Sequence, residues 1–465
     1  MTWTSPLSAR ILRSSIPAYC LMRTRTITTR NVSILLLALV SSMFTILVNT
    51  IIVIQNYTYK YRIYPTEQQK EIFAKHFGCC RFVYNYFLNR EKEFYLNNRE
   101  DIESKRIKGH NTAFDNQKIL TQMKKQEEFS WLKEVGSHSL GLTLKNLESA
   151  YSNFFRKRAK FPKFKKKSYH QSYNIDNLTL YIEDGRVYIP KIKDGVKIIE
   201  HRPLEGKILN GTISKTADEK YFISVTVEKE IEELPVETNK IGLDLGIKDF
   251  AVISNGDKVT NPHFKKKEVK KLKKLQRALS RKQKNSRRRE KCRIKLARLN
   301  ASIKNKKNDF LHKLSSKLIN ENQVICLEDL NVKGMVKNHR LAESISDCSW
   351  FEFVRQLEYK GRWYGRTVVK IGRFFPSSKT CSNCGFIKEL LNLSERKWTC
   401  PKCGINHDRD LNAAKNILKQ GLNSLSFGTN EYSRGDEVKP KSTKSGRKYC
   451  LRSDEKEEKR LIPIL

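Results

Sequence analysis

CSNCG at residues 381–385, CPKCG at 400–404 and DRDLNAAKN at 408–416 decide the reading of this chain. Two C-x2-C knuckles, fifteen residues apart between Cys384 and Cys400, suit a tetrahedral zinc ion held by the thiolates of Cys381, Cys384, Cys400 and Cys403. Asp410 follows the last cysteine by seven residues and opens a run with helical apolar spacing through Leu411, Ala414, Ile417 and Leu418. A carboxylate at a helix start beside a metal-braced loop is well placed to hold a second, catalytic cation. This arrangement points to a nucleic-acid enzyme rather than a lone zinc finger.

Working outward, two more acids sit in similar settings. Asp244 lies in IGLDLGIKDFAVISNG (241–256), which reads as strand, tight turn and strand, with Gly242 and Gly246 beside it. Glu328 ends the apolar strand VICLEDL (324–330). In an RNase H-like sheet, adjacent strand ends and a nearby helix bring such residues together. Clustered carboxylates repel unless divalent cations neutralise them. Two Mg2+ ions about 3.5–4 Å apart can activate water and stabilise the leaving oxygen of a phosphodiester, and magnesium favours oxygen ligands. An isolated Asp at a helix start is more often a cap; three acids in such settings outweigh that reading. His407 and Asp408 read as loop or supporting residues rather than ligands.

Charge agrees. The 465 residues carry 91 Lys and Arg against 49 Asp and Glu, a net +42, which is the electrostatic footprint of a polyanion partner. Residues 265–307 hold 21 basic and only two acidic side chains, Glu268 and Glu290. Apolar stripes at Leu272, Leu275, Leu279, Ile294, Leu296, Leu299 and Ile303 predict a helical hairpin with cationic outer faces, including Arg287, Arg288 and Arg289. The stretch FPKFKKKSYHQSYN (161–174) interleaves Lys163, Lys165, Lys166 and Lys167 with aromatics, so cations can meet phosphates while rings stack on bases. Lys379 is a further candidate strand contact. The 11 cysteines follow no even framework beyond the two knuckles, which argues for a reducing compartment.

The remaining chain reads as follows. Alternating aromatic and basic residues at 57–64 predict a strand, and Pro65-Thr66 opens a helix with core positions Ile72, Phe73, Phe77, Phe82, Val83, Tyr86 and Phe87. Helices continue to about residue 160, with Trp131, Leu132, Leu140, Leu144, Leu147 and Tyr151 as expected core. Residues 173–230 predict an antiparallel barrel or sandwich with strands at 178–182, 186–189, 196–200, 208–214 and 221–227, broken at Asp184-Gly185, Asp194-Gly195 and Asn210-Gly211. A Pro-bearing linker spans 232–239, a helix 350–363 and a strand 367–371. The N-terminus conflicts with all this: residues 32–54 contain no charge and follow five arginines, the pattern of a signal anchor. A misassigned start, with residues 1–56 not translated, is the preferred explanation.

The quoted motifs, with FPSSKTCSNCG, CGINHDRDLNAAKNIL and YKYRIYPTEQQKEIFAKHFGCCRFVYN, together resemble the TnpB (OrfB) proteins of bacterial and archaeal insertion sequences over residues 57–418. The resemblance implies a compact RNA-guided DNA endonuclease related to type V CRISPR effectors. Its fold would be α/β plus a β-barrel and helical parts. It would comprise a wedge barrel (57–66 and 171–238), a helical recognition domain (67–170) and an RNase H-like RuvC nuclease domain (239–418) with the basic hairpin (263–320) and an inserted zinc ribbon (378–405); the tail (419–465) lies outside the resemblance, and its dissolving pattern predicts disorder. The resemblance puts the catalytic triad on Asp244, Glu328 and Asp410, with catalytic Mg2+ and structural Zn2+. It implies guide RNA and double-stranded target DNA as partners, in a prokaryotic cytoplasm close to the nucleoid. Competing functions are a strand-joining transposase, a non-catalytic zinc-ribbon regulator of transposition, and a membrane-tethered basic protein.

Overall fold

The computed structural model describes residues 52–426, apart from 105, 108–109, 168–169 and 393. The uncharged run at 32–51 and the tail beyond 426 lie outside the described residues. Strand β1 (Ile52–Tyr64) begins five residues before the predicted position. Helix α1 (Glu67–Asn97) starts at Thr66 through a capping box: Thr66 accepts from the Gln69 amide and Gln69 returns the bond. Short α2 (Arg99–Glu103), α3 (Ala113–Met123), a 3-10 turn (Glu127–Glu134) and α4 (Ser137–Phe155) follow.

Strands β2 (Gln171–Asp176), β3 (Tyr181–Glu183), β4 (Arg186–Ile189), β5 (Ile192–Ile199), β6 (Lys207–Lys215) and β7 (Tyr221–Glu232) join β1 in one seven-stranded sheet, ordered β2-β6-β7-β1-β5-β4-β3. In β7 the apolar residues Tyr221, Ile223, Val225 and Val227 alternate inward, as a sheet with one covered face requires. Phe73 and Phe77 of α1 pack their rings on Tyr173, and Phe73 also on Tyr221. Trp131 and Tyr86, both expected in the core, are 37% and 39% exposed. The first strand after the basic stretch is β2, at 171–176, whereas Leu178, expected to begin a strand, is 80% exposed.

The three predicted breaks part ways. Asp184 and Gly185 form a two-residue hairpin turn with φ of 48° and 66°, as a primed turn requires. Asp194-Gly195 lies inside β5, and Asn210-Gly211 lies inside β6. Gly211 serves packing, not turning: a Cβ there would stand 2.5 Å from Leu180 Cδ2. The predicted linker is pinned as well, since Arg366 donates to Pro235 O at 2.8 Å and to Gln323 Oε1 at 2.8 Å.

The C-terminal half is built on a five-stranded sheet, ordered β10-β9-β8-β11-β12. Its strands are β8 (Lys240–Leu245), β9 (Asp249–Ile253), β10 (Lys258–Thr260), β11 (Val324–Glu328) and β12 (Thr367–Ile371). β11 runs parallel to β8 and β12, while β9 and β10 are antiparallel. Val324 to Leu327 are buried throughout, as a central parallel strand covered on both faces must be. Ile325 and Leu327 join a core with Leu318, Ile319, Phe353 and Leu357, drawn from α6 (Arg287–Glu321) and α9 (Trp350–Trp363). Val324 and Cys326 face Ile417 of α10 (Arg409–Ser426) on the other side.

Two glycines allow α10 to lie directly on the strands. A Cβ at Gly242 would stand 2.2 Å from Ala414 O, and one at Gly421 would stand 2.3 Å from Cys326 Sγ. The predicted basic hairpin is present as α5 (Phe264–Ser280) and α6, closed by Leu272, Leu299 and Ile303. His263 offers α5 no side-chain cap. Asp347, from α8 (Ala342–Cys348), does so instead, accepting from the Lys265 and Lys266 amides and pairing with Lys307 at 2.8 Å. A four-residue helix α7 (Val332–Met335) and the ribbon strands β13 (Lys397–Thr399) and β14 (Asn406–Asp408) complete the elements of the described residues. Among the described residues, no helix is long and apolar enough to cross a membrane.

Candidate active site

Asp244 on β8 and Glu328 at the end of β11 occupy neighbouring parallel strands, and Asp410 stands in the first turn of α10, which packs on both. The small residues of α10 and Gly242 set this approach. The three acids are brought within electrostatic reach. Burial first, then the charges of Glu328 and Asp410, push Asp244 up to about 7, while Arg409 and Arg396 pull against the rise. Each acid has a distinct support. Ser377 Oγ, in a buried residue, donates to Glu328 Oε1 at 2.6 Å. Arg396 donates from Nη1 to both Asp410 oxygens, at 3.1 and 3.2 Å.

Asp408 has other work. Its Oδ1 accepts from the amides of Asp410 and Leu411, so it caps α10, while its Oδ2 pairs with Lys258 at 2.8 Å. Burial works to raise its carboxyl, but Lys258 and then those amide bonds hold it below the usual range. Asp329 pairs with Arg373 at 2.5 Å, beside the site rather than in it.

The four knuckle cysteines converge with all sulfurs within 4.8 Å of one another. Cys381–Cys403 and Cys384–Cys400 are each 3.6 Å apart, close to the ~3.8 Å edge of a tetrahedron with Zn–S bonds of about 2.3 Å. Both knuckles repeat one geometry. Gly385 and Gly404 have φ of 74° and 72° and donate to the carbonyls of Cys381 and Cys400 at 2.9 Å. The sulfur donor set fits zinc. The three oxygen donors fit a hard divalent cation, whose charge would favour the ionised form that burial and the neighbouring acids disfavour at Asp244. The acids converge more loosely than the cysteines, which among the described residues form the one tight donor cluster.

His407, buried, points Nε2 to within 3.0 Å of Cys381 Sγ and packs its ring on Trp398. The ribbon is tied to the acids' helix: Ser382 N–H donates to Asn412 Oδ1 at 2.9 Å, and Asn412 and Asn416 donate to Thr380 O.

The predicted cationic contacts separate into two kinds. Lys163, Lys166, Lys167, Arg287 and Arg288 are exposed. Lys165, also an exposed residue, lays its Nζ 4.1 Å over the Tyr84 ring, and its backbone exchanges two hydrogen bonds with Asn85. Arg289 closes the hairpin turn, donating to Leu279 O at 2.5 Å and Lys282 O at 3.1 Å. Lys379 donates to Glu389 O at 2.8 Å. A grouping missed in the sequence joins three distant segments: Lys60 on β1, His170 after the basic stretch and Lys304 on α6. Burial, then the neighbouring cations, lowers both Lys60 and His170 below their ordinary values. Its signal was only the alternation of aromatic and basic residues in β1.

Comparison with known proteins finds relatives over most of the chain. Residues 222–339 match the family described as "Probable transposase", 350–417 the "Cas12f1-like, TNB domain" and 55–100 a "Helix-turn-helix domain". A Streptomyces pristinaespiralis protein named "Putative RNA-guided DNA endonuclease" is 39% identical over 395 residues, which are 84% of this chain and 94% of that protein. The Escherichia coli K12 protein "Putative RNA-guided DNA endonuclease InsQ" is 33% identical over 388 residues, covering 80% and 93%. Among solved structures, a Cas12f1–sgRNA–target DNA complex matches with a TM-score of 0.48 at 12% identity, over 78% of this chain and 99% of that one. On the breadth and identity of the sequence matches, the chain belongs to the TnpB/OrfB family.

Proposed function

We propose that this chain is an RNA-guided, divalent-metal-dependent DNA endonuclease of a mobile element, cutting through Asp244, Glu328 and Asp410. The observation that carries the reading is the placement of three carboxylates on β8, β11 and α10, where burial first, and then the charges of Glu328 and Asp410, raise Asp244 to about 7. The antiparallel-then-parallel order β10-β9-β8-β11-β12 supports an RNase H-like, RuvC-type assignment for this half. The relatives' names supply the substrate class: DNA, addressed through RNA.

Magnesium, when bound, would supply a hard Lewis acid that offsets the acids' charge and activates water. The chain's own residues do the rest. Asp244 and Glu328 offer oxygens from two rigid neighbouring strands, so their separation is fixed by the sheet. Ser377 orients the Glu328 carboxylate. Asp410 is presented by the helix start that Asp408 caps, and Arg396 holds it from the ribbon side. The exposed cations of the basic stretch and the hairpin would neutralise RNA and DNA phosphates, while guide pairing reads sequence. Cys381, Cys384, Cys400 and Cys403 would hold structural zinc and keep Arg396 and α10 in register.

The test is guide-loaded protein on a matched duplex. Asp410→Ala should abolish cutting while target binding survives, and chelation should stop the parent until Mg2+ is restored. Near-normal cutting by Asp410→Ala, or guide-independent strand joining by the parent, would overturn the reading.

A further inference from the structure

We propose that Phe374 is a stacking platform for an unpaired base of the DNA strand lying next to the scissile phosphate. This rests on the reading of Asp244, Glu328 and Asp410 as the cleavage site. Isolated exposed apolar side chains are common and mean little alone. Three observations separate Phe374 from them.

Its exposure is extreme and imposed by its neighbour. Phe374 is 93% exposed, while adjacent Phe375 packs on the cluster of Val324, Cys326, Val369, Ile371 and Ile417. Burying Phe375 turns Phe374 outward.

The backbone that carries it is clamped. Phe375 N–H donates to Gly372 O at 3.1 Å, and Ser377 N–H donates to Phe375 O at 2.8 Å. Arg373 donates to Asp329 O at 3.2 Å and Oδ2 at 2.5 Å. A ring on so fixed a mount loses little further freedom when a base lies on it.

The mount also sits beside the acids. On one side Arg373 binds Asp329, the residue after Glu328. Three residues along, Ser377 binds Glu328 itself. Phe374 therefore projects from a turn bracketed by contacts to the Glu328-Asp329 pair. A phosphodiester held at Glu328 brings its flanking bases to this turn, and an aromatic face receives any base without reading its edge. In the interior of a duplex both faces of each base are covered by the neighbouring pairs, so away from duplex ends the platform selects a separated strand.

The experiment uses the full-length protein in an Asp244→Asn background, without metal, with labelled oligothymidine and a labelled duplex as probes. Phe374→Ala should weaken oligothymidine binding about 5- to 150-fold, the equivalent of the 1–3 kcal/mol that stacking contributes per base. Duplex binding should hold. Phe374→Trp should restore affinity, and its added tryptophan emission should be quenched by oligothymidine but not by the duplex. Unchanged affinity in Phe374→Ala, or a Phe374→Trp signal that ignores the strand or responds equally to duplex, would overturn the proposal. These readouts are of binding. A failure of the nuclease reading would instead be seen as cleavage by the Asp244→Asn parent in Mg2+, so the two failures are distinguishable.

Discussion

Replacing Asp244 by asparagine should stabilise the metal-free protein while destroying its activity. The carboxylate normally titrates near ~3.9; here burial and the charges of Glu328 and Asp410 bring it to about 7. At 1.36 kcal/mol per pH unit, ionising it in the folded chain costs about 4 kcal/mol relative to the unfolded chain. That is an upper bound, because the side chain keeps part of its solvent contact. Asparagine has nearly the same shape and carries no charge.

The sign follows from proton binding. Between about 4 and 7 the folded state holds a proton that the unfolded state has lost, so the parent loses stability as pH rises through this window and levels off above it. The variant lacks that loss. In EDTA, the parent-minus-variant difference in thermal midpoint should be near zero at pH 4 and negative by several degrees at pH 8, at ~2–4 °C per kcal/mol. Added Mg2+ should stabilise the parent, by about 2.7 kcal/mol at a hundredfold excess over Kd, and narrow or reverse the gap. Scanning fluorimetry across pH, with and without Mg2+, measures both. A variant no more stable than the parent at pH 8 in EDTA would refute the claim that burial and the neighbouring acids disfavour the Asp244 charge in this fold.

Four further outcomes are expected. Metal analysis should find one zinc per chain, and Cys384→Ser with Cys403→Ser should remove it. Ser377→Ala should raise the Mg2+ concentration needed for half-maximal cutting by about 10- to 100-fold, because the orienting bond to Glu328 is lost; titrating Mg2+ in the cleavage assay reads this. Reversing Arg287 and Arg288 should lower the salt slope of RNA binding by about 2, whereas reversing Arg289 should unfasten the hairpin turn it closes and show in the melting curve. Gly242→Ala should push α10 off β8 and cost about 1–3 kcal/mol in denaturant titrations, with cleavage falling too.

The elements most legible in the sequence were those whose period and punctuation had one reading. Helix α9 and strand β12 fall at the predicted bounds, 350–363 and 367–371, because an amphipathic helix and a buried strand are separated by Gly365 in the left-handed region. The hairpin of α5 and α6 was legible from two leucine-rich stripes in a cationic field. The knuckles were legible because C-x2-C-G encodes both the ligands and the left-handed glycine that turns the chain.

Glycine was misleading where it served packing instead. Asn210-Gly211 has the composition of a turn, but Leu180, 31 residues before Gly211 in sequence, needs the space that the missing Cβ of Gly211 leaves. No local pattern carries that information. Gly242 is the same case at the site: its neighbour across the gap is Ala414, far along the chain. The three acids could be picked out because each stood in an apolar strand or at a helix start. Their supports were legible only in part. Asp408, readable as a supporting residue, caps the helix locally, whereas Ser377 and Arg396, from the approach to the ribbon and its interior, reach Glu328 and Asp410 through tertiary contacts that no local pattern carries. Arg289 and Lys165 mark the opposite limit. In sequence each is one cation in a basic run, yet Arg289 closes the turn between two helices and Lys165 rests on Tyr84. A run of like charges states the total field, and only the fold decides which members face solvent and which brace the frame.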